Sequence, residues 1–315
     1  MDKLTAEANC FTNVTKLLAS DFLILILTLR MHRGKILWKT FSKPAKGRDG
    51  MKLRKIENTI RKQFKGDFKL VFYKITDSTN LRAHEYAKEN PDNRTPTVFI
   101  AEGQTGGRGR LGRSFESPRG KGLYMSLLSY PEKKGQDATA ITAYAALGLA
   151  EAIDALTGAE TKIKWVNDLI LGGKKVAGIL TEAEMNSDGN VAFTVIGMGI
   201  NVYKNALSEE LSEIATSIEE ATGKVISIEE LAAKALLSLL SDEDSLSIRE
   251  LLPGYLRRSS VVGEEINVIP LSGESYAARA VGINDDLSLR VITPEGEEKN
   301  LISATVSIRK QVKDR

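Results

Sequence analysis

The sequence predicts an α+β fold: a mixed β-sheet packed with helices, followed by a small C-terminal β-barrel. Three observations carry that prediction. Helix-period and strand-period segments alternate between residues 52 and 202, which neither an all-helical nor an all-β chain would show. A run of helical segments then fills 208–258. Beyond it, 261–310 alternates apolar and polar residues between turn signals at 271–274, 284–286 and 294–297, the pattern of a small antiparallel barrel. With 315 residues, 42% of them hydrophobic and 27% charged, the chain is long enough for two domains with cores of their own.

The elements follow in order. Residues 52–64 read as a helix, 69–74 as a strand, and 79–88 as a helix that Asp77 or Ser78 would cap. The apolar runs TVFIA (97–101) and LYMSLLS (123–129) read as strands. Residues 137–156 form an alanine-rich helix whose small side chains suit close packing on a sheet, with Tyr144 assigned to the core. Residues 169–171 and 176–181 pair as a hairpin through Gly172-Gly173, a dipeptide that supplies positive φ for a tight turn. That hairpin puts Asn167, Asp168 and Lys175 on one short ribbon, though by itself it reads as an ordinary solvated hairpin end. In VIGMGINV (195–202), glycine inside a strand marks a bulge or a close backbone approach. Either a flat ring lies against it with Asn201 at its edge, or the glycines let a helix pack closely; this segment alone supports both. Residues 191–202 are also expected to form an edge strand that could pair between subunits. Helices at 210–223, 227–240 and 244–258 follow, with Gly223 and Pro253 as breaks or kinks.

The first 50 residues are compositionally distinct. They carry nine Lys/Arg against four Asp/Glu, a net of +5, whereas the remainder carries 35 against 37, a net of −2. The apolar run FLILILTL (22–29) has eight residues, far short of the roughly 18 that a spanning helix needs. Asp21 before it, basic residues after it and the lack of a small-residue cleavage site argue against a signal peptide. The segment reads as a basic appendage, with Met51 the functional beginning of the fold. No two-helix pattern with a turn is visible in it, so DNA binding is not expected, and neither is a membrane anchor. Cys10 is the single cysteine, so no internal disulfide can form, and His32 and His84 lie far apart. A zinc site or histidine-based triad is therefore not expected.

The chemistry concentrates in residues 101–122, AEGQTGGRGRLGRSFESPRGKG, where seven glycines and four arginines separate two apolar runs. Glycine lets the backbone approach a ligand closely, while Arg108, Arg110, Arg113 and Arg119 offer planar donor forks suited to phosphate or carboxylate. The segment reads as an anion-gripping loop, mobile until something anionic fills it; a solvated basic segment that touches RNA nonspecifically is the plainer alternative. Gly107, Gly109 and Gly112 also match the dinucleotide pattern G-x-G-x-x-G, with Glu132 about twenty residues on. That pattern must open a helix, yet RSFESPRGKG follows, with Pro118 and no helical period, so the match is coincidental.

Four segments, in order and register, carry a resemblance: DSTN (77–80), AEGQTGGRGRLGRSFESP, KWVNDLILGGKKVAGILTE (164–182) and GMGINV (197–202), with VSIRK (306–310) near the end. Over roughly 51–310 the chain resembles the biotin protein ligase family. The resemblance implies a class II synthetase-like catalytic domain over 51–258 and an SH3-like domain over 259–315. It implies a cytoplasmic enzyme that forms biotinyl-5′-adenylate from biotin and ATP, with Mg²⁺, and passes biotin to a lysine of a biotin carboxyl carrier protein or domain. Homodimers occur in that family. By the same resemblance, Ser78, Thr79, Asn80 and Gln104 line a biotin pocket, joined by Gly178, and Arg108, Gly109 and Arg110 belong to a substrate-closing loop. Lys175 matches the lysine that bridges the biotin carboxylate and the α-phosphate; with Arg110 it is assigned to catalysis. Arg110 and Arg113 match phosphate-binding arginines, Asn201 an adenine-facing position, and Asp168 a carboxylate on the Mg²⁺ side. Two positions depart from the family: Phe115 stands where tryptophan is frequent and Val166 where proline is. Phe115 can still stack on adenine, with a smaller face and no indole N–H. A lipoate ligase-like acyltransferase of the related fold and a biotin-responsive DNA-binding regulator are the alternatives. The first would not be expected to join GRGRLGR to KWVNDLILGGKK.

Overall fold

The computed structural model describes residues 26–32, 35–41, 51–130, 138–188, 190–242, 248–302 and 306–310. Cys10 and Glu132 lie outside the described residues. The chain divides into two compact units, Met1–Gly47 and Arg48–Arg315. In the first, β1 (Ile26–His32) pairs antiparallel with β2 (Lys35–Phe41). Sequence reading assigned no regular element there, although apolar and polar residues alternate along Ile26–His32.

The second unit begins with α1 (Leu53–Arg61), β3 (Lys69–Tyr73), α2 (Thr79–Glu89), β4 (Thr97–Ala101) and β5 (Gly122–Ser129). It continues through α3 (Ala138–Thr157), β6 (Lys162–Lys164), β7 (Asp168–Leu171), β8 (Lys174–Met185) and β9 (Val191–Asn201). The seven strands form one mixed sheet in the order β3-β4-β5-β9-β8-β7-β6, with β3 and β4 parallel and the other pairs antiparallel. Strand β9 therefore lies inside the sheet between β5 and β8, not at its edge as the sequence reading expects. Over 194–201 its backbone groups are spent on two neighbours, while 191–193 pair with β8 and not with β5. The Gly172-Gly173 turn forms as expected: both residues have positive φ (59° and 82°), and Leu171 faces Lys174 across a two-residue loop.

Three more helices follow: α4 (Ile218–Thr222), α5 (Ile228–Asp242) and α6 (Ile248–Arg258). The expected helix over 210–223 is mostly absent. Residues 214–216 instead run beside β8, where Lys175 N donates to Ile214 O and Thr216 N to Lys175 O. A helix restarts only at Ser217, whose hydroxyl accepts from Glu220 N in a capping box, and it ends at Gly223 with φ 69°. Pro253 is carried within α6 rather than ending it.

Helices α1, α3, α5 and α6 cover one sheet face and enclose the main core. Helix α3 is apolar enough by length and composition to cross a membrane, yet 56% of that stretch is buried in this fold. Gly148 allows close approach to α5: a Cβ there would lie 2.1 Å from Ser238 Oγ. Tyr144 packs against the core as expected, and its hydroxyl donates to Ser238 O. Helix α2 covers the opposite face with a smaller cluster around Phe99, Leu128 and Phe193.

The C-terminal strands are β10 (Glu265–Pro270), β11 (Tyr276–Ile283), β12 (Leu289–Ile292), β13 (Glu298–Leu301) and β14 (Val306–Lys310). They form an antiparallel sheet in the order β13-β12-β11-β10-β14, compatible with the SH3-like fold expected. Its interior is continuous with the main core, and Trp165 Nε1 donates to Leu287 O at 2.8 Å across the junction. Because Arg48–Arg315 holds together by itself, a chain beginning at Met51 is expected to fold with an unfolding midpoint within a few degrees of the full chain. Thermal unfolding followed by circular dichroism checks this; a molten or aggregated product would contradict it.

Candidate active site

The site lies on the face that α2 only partly covers, and its floor is bare backbone. Gly178 on β8 pairs with Gly199 on β9, and Leu180 with Gly197. A Cβ at Gly197 would stand 2.1 Å from Asn80 Oδ1; one at Gly199, 2.7 Å from the Phe115 ring; one at Gly178, 3.1 Å from Lys175 Nζ. As the second reading for 195–202 expects, a helix packs closely there, with Asn80 of α2 over Gly197, while a side-chain ring, that of Phe115, covers Gly199.

Helix α2 brings DSTN onto this floor. Ser78 is the N-cap residue, but its hydroxyl makes no capping bond. The role passes to Gln104 from the loop: its Oε1 accepts from Thr79 N at 2.8 Å and from Thr79 Oγ1 at 3.1 Å, while its Nε2 donates to Ser117 Oγ at 3.0 Å. Asp77 Oδ1 accepts from Ser78 N. Both ends of the Gln104 amide are thus committed, which fixes its orientation. Ser126 Oγ on β5 lies 2.7 Å from Thr79 Oγ1 and 2.6 Å from Asn80 Oδ1.

The glycine-arginine loop is a narrow hairpin. Arg108 bridges Ser114, Phe115 N donates to Gly107 O, and Gly109 N donates to Arg113 O. One 3-10 turn, Arg110–Gly112, forms its tip, with Leu111 (φ 56°) and Gly112 (φ 74°) left-handed, so no helix opens after the glycine pattern. Arg119 departs from its expected role as an anion-gripping arginine. Its Nε donates to the nearly buried Glu102 at 2.9 Å and ties the two stems of the loop together. The buried Tyr124 donates its hydroxyl to Pro118 O and secures the same stem, and burial pushes its phenol pKa well above the ordinary value.

Two carboxylates order the cations. Asp168 Oδ1 lies 2.7 Å from Lys175 Nζ, and Lys175 Nζ also sits over the Phe115 ring, 5.9 Å from its centroid. Arg110 Nη1 donates to Asn167 Oδ1 at 3.0 Å, while Asn167 Nδ2 donates to Ile179 O, so the Asn167 amide joins the arginine to β8. Burial draws the Arg110 guanidinium below its ordinary pKa, opposed by the charge of Asp168, and it stays protonated. Arg108 Nη1 reaches Glu182 Oε1 at 3.7 Å. Val166, without the rigidity of proline, has its carbonyl held by the Tyr255 hydroxyl at 3.0 Å.

Ser78, Thr79, Asn80, Gln104, Arg108, Gly109, Arg110, Phe115, Lys175 and Gly178 all line one cleft. A second, adjoining cleft shares Arg110, Phe115 and Lys175 and adds Arg113, Lys164, Asp168 and Ile308. Asn201 lines neither; it is buried at the end of β9, its Nδ2 donates to Thr216 O, and its Oδ1 finds no partner among the described residues. Sequence reasoning gave no role to Asn167, Ser126 or Glu182. The alternating pattern along β8 could have placed Glu182 on the same face as Gly178, but only strand pairing brings it to Asn80. Among the described residues, no three His, Cys, Asp or Glu side chains cluster as a metal site.

Comparison with known proteins agrees with this geometry. Residues 72–201 match the model of the biotin/lipoate A/B protein ligase family. The bifunctional ligase/repressor BirA of Bacillus spizizenii is 34% identical over 245 residues, covering 76% of this chain and 74% of that protein. The chain belongs to the biotin protein ligase family. The biotin–[acetyl-CoA-carboxylase] ligase of Paracoccus denitrificans is 31% identical over 231 residues, 71% of this chain and 94% of that one. The biotin protein ligase of Aquifex aeolicus, solved in complex with biotin and ATP, superposes with a TM-score of 0.66 at 30% identity, covering 79% of this chain and all of that one. The chain is thus a ligase enzyme whose clefts lie in the fold of a biotin protein ligase.

The glycine floor makes a direct prediction. In Gly197→Ala the new methyl must displace the Asn80 amide, and such overpacking costs about 1–3 kcal/mol. Urea unfolding should show that loss, with an unchanged m-value; full stability would mean that Asn80 is not held where the geometry puts it.

Proposed function

We propose that this enzyme condenses biotin with ATP to biotinyl-5′-adenylate, releasing pyrophosphate, and then transfers biotin to a lysine of a biotin carboxyl carrier protein or domain. One observation carries the reading: a single cleft joins an end built of hydroxyls and fixed amides (Ser78, Thr79, Asn80, Gln104) to an end built of cations (Arg110, Lys175). The first suits a neutral ureido ring, the second a carboxylate beside a phosphate.

In the first step a carboxylate oxygen of biotin attacks the α-phosphorus of ATP and the bond to pyrophosphate breaks. Two anions must meet, so the site needs fixed positive charge where charge develops. We assign that role to Lys175, oriented by Asp168, and to Arg110, braced by Asn167. Arg113 in the adjoining cleft suits the departing phosphates. Phe115 offers a stacking face, and the unpartnered Oδ1 of Asn201 suits an adenine amino group, since a buried acceptor left unmade is costly. Asp168 fits the one-carboxylate, phosphate-rich environment in which Mg²⁺ is commonly held; there the ion would neutralise phosphate charge. In the second step the carrier lysine attacks the acyl carbon and AMP leaves.

We read 51–258 as the catalytic domain, 259–315 as an SH3-like domain and 1–50 as an appendage, in a cytoplasmic enzyme. A homodimer is compatible with this reading. A regulatory reading draws on the BirA relative, a ligase/repressor by name, and on the net +5 charge of the first 50 residues. The catalytic geometry favours the ligase.

Lys175→Ala should slow adenylate formation by roughly a hundredfold, about 3 kcal/mol of transition-state stabilisation. Pyrophosphate release by the purified variant measures this, and a near-normal rate would remove Lys175 from the chemistry. The arginine loop should be a ligand-ordered lid, because neutralising Arg108, Arg110 and Arg113 offsets the entropy of fixing its glycines. Hydrogen exchange over 104–122 should slow when a nonhydrolysable adenylate analogue binds; equal exchange in both states would refute gating.

A further inference from the structure

We propose that Glu182 is a positioning residue of the biotin end of the cleft, its carboxylate setting the orientation of the Asn80 amide and anchoring the lid arginine Arg108. The assignment rests on the ligase reading above. Side chains alternate along a strand, so Glu182 shares a sheet face with Gly178 and Leu180, which line the cleft. No residue lining that cleft is acidic, and Glu182 stands just behind its wall. Asn80 and His84, one helical turn apart on α2, both point at it: Asn80 Nδ2 donates to Oε2 at 2.7 Å, and His84 Nε2 lies 3.5 Å from the same oxygen. Its other oxygen faces Arg108 at 3.7 Å.

These contacts differ in strength. The Arg108 pair is long and its arginine half exposed, so an arriving anionic ligand can draw Arg108 away. The Asn80 bond is short and Asn80 is buried; the same Nδ2 also donates to Leu180 O at 3.4 Å, so Glu182, as the nearer acceptor, and that carbonyl together set which end of the amide faces where. A carboxylate accepts only. The amide nitrogen must therefore turn towards Glu182 and its oxygen towards Ser126, which fixes what Asn80 presents to a ligand rich in N–H and C=O groups. Hydrogen bonding from His84, then from Asn80, together with the charge of Arg108, holds the Glu182 carboxyl below the usual carboxylate range, so it is ionised at neutral pH.

The test compares the full-length chain with Glu182→Ala and Glu182→Gln by calorimetric biotin and ATP affinities, biotin dissociation rate and single-turnover adenylate formation at saturating biotin. Glu182→Ala should weaken biotin binding by roughly tenfold, the effect of leaving the buried Asn80 amide with only its longer contact to Leu180 O. ATP affinity and the saturating rate should change by less than about threefold, because Lys175 and Arg110 lie on other contacts. Glu182→Gln, whose amide oxygen still accepts from Asn80, should recover most of the affinity but release biotin faster, since Arg108 loses its counter-charge. Unchanged biotin affinity in folded Glu182→Ala overturns the proposal, as does equal weakening of biotin and ATP in both variants. If Glu182→Ala does not fold, an unchanged biotin dissociation rate in Glu182→Gln overturns it and a faster one supports it. Failure of the unaltered chain to bind biotin would overturn the ligase reading itself, and this assignment with it.

Discussion

Three glycines, Gly178, Gly197 and Gly199, clear a strip of backbone near the middle of the sheet, and the three parts of the site descend into it. Asn80 comes from α2, Phe115 from the loop and Lys175 from β8 itself. Pairing makes the strip contiguous: Gly178 faces Gly199, and Gly197 sits between Leu180 on one side and Ser126 on the other. Interior strands with two bonded neighbours hold that register far more firmly than an edge strand would. The cleft is therefore as rigid as the sheet, and side chains approach to distances that a single methyl group would forbid.

Charge is arranged on the same frame. Each cation of the cleft already touches a protein acceptor: Lys175 touches Asp168, Arg110 touches Asn167, and Arg108 faces Glu182. These contacts restrict rotamers and still leave the cleft net positive, because Asn167 is neutral and two carboxylates, Asp168 and Glu182, face three cations. For Lys175, which stands on the sheet itself, side-chain ordering is thus met during folding, which is how preorganised electrostatics gains its effect. Arg119 shows the complementary use. Paired with Glu102, it fixes the base of the loop that carries Arg108, Arg110 and Arg113.

Much of this was legible because it is local. The Gly172-Gly173 turn, the apolar strands and the helix after DSTN each follow from periodicity or turn chemistry within a dozen residues, and the motifs that mark the cleft lie in order along the chain. What could not be read is what distant pairing decides. Nothing near Glu182 says that a residue 102 positions earlier will donate to it. The 210–223 segment has helical periodicity, but two backbone bonds to Lys175 outweigh it by offering 214–216 an extended partner. Strand β9 looked like an edge because it ends a run of strands in sequence, whereas sheet order is set by which strands fold back. Capping by Gln104 in place of Ser78 is equally nonlocal.

The backbone bonds at Lys175 connect the adjoining elements to the chemistry. Lys175 pairs through both its N–H and its C=O with 214–216, and Asn201, at the end of β9, donates to the carbonyl of Thr216 in that same segment. Residues 214–216 are thus bonded both to the lysine assigned to the α-phosphate and to the amide assigned to adenine. A shift of this segment would move both side chains at once, so the spacing of Lys175 and Asn201 is set by main-chain geometry. On the far side, Trp165 and Tyr255 bind the 165–168 turn that presents Asp168 to the C-terminal sheet and to α6. The C-terminal sheet thereby acts as a buttress: it fixes the carboxylate that fixes Lys175, and it does so through buried hydrogen bonds that break only if the shared core opens.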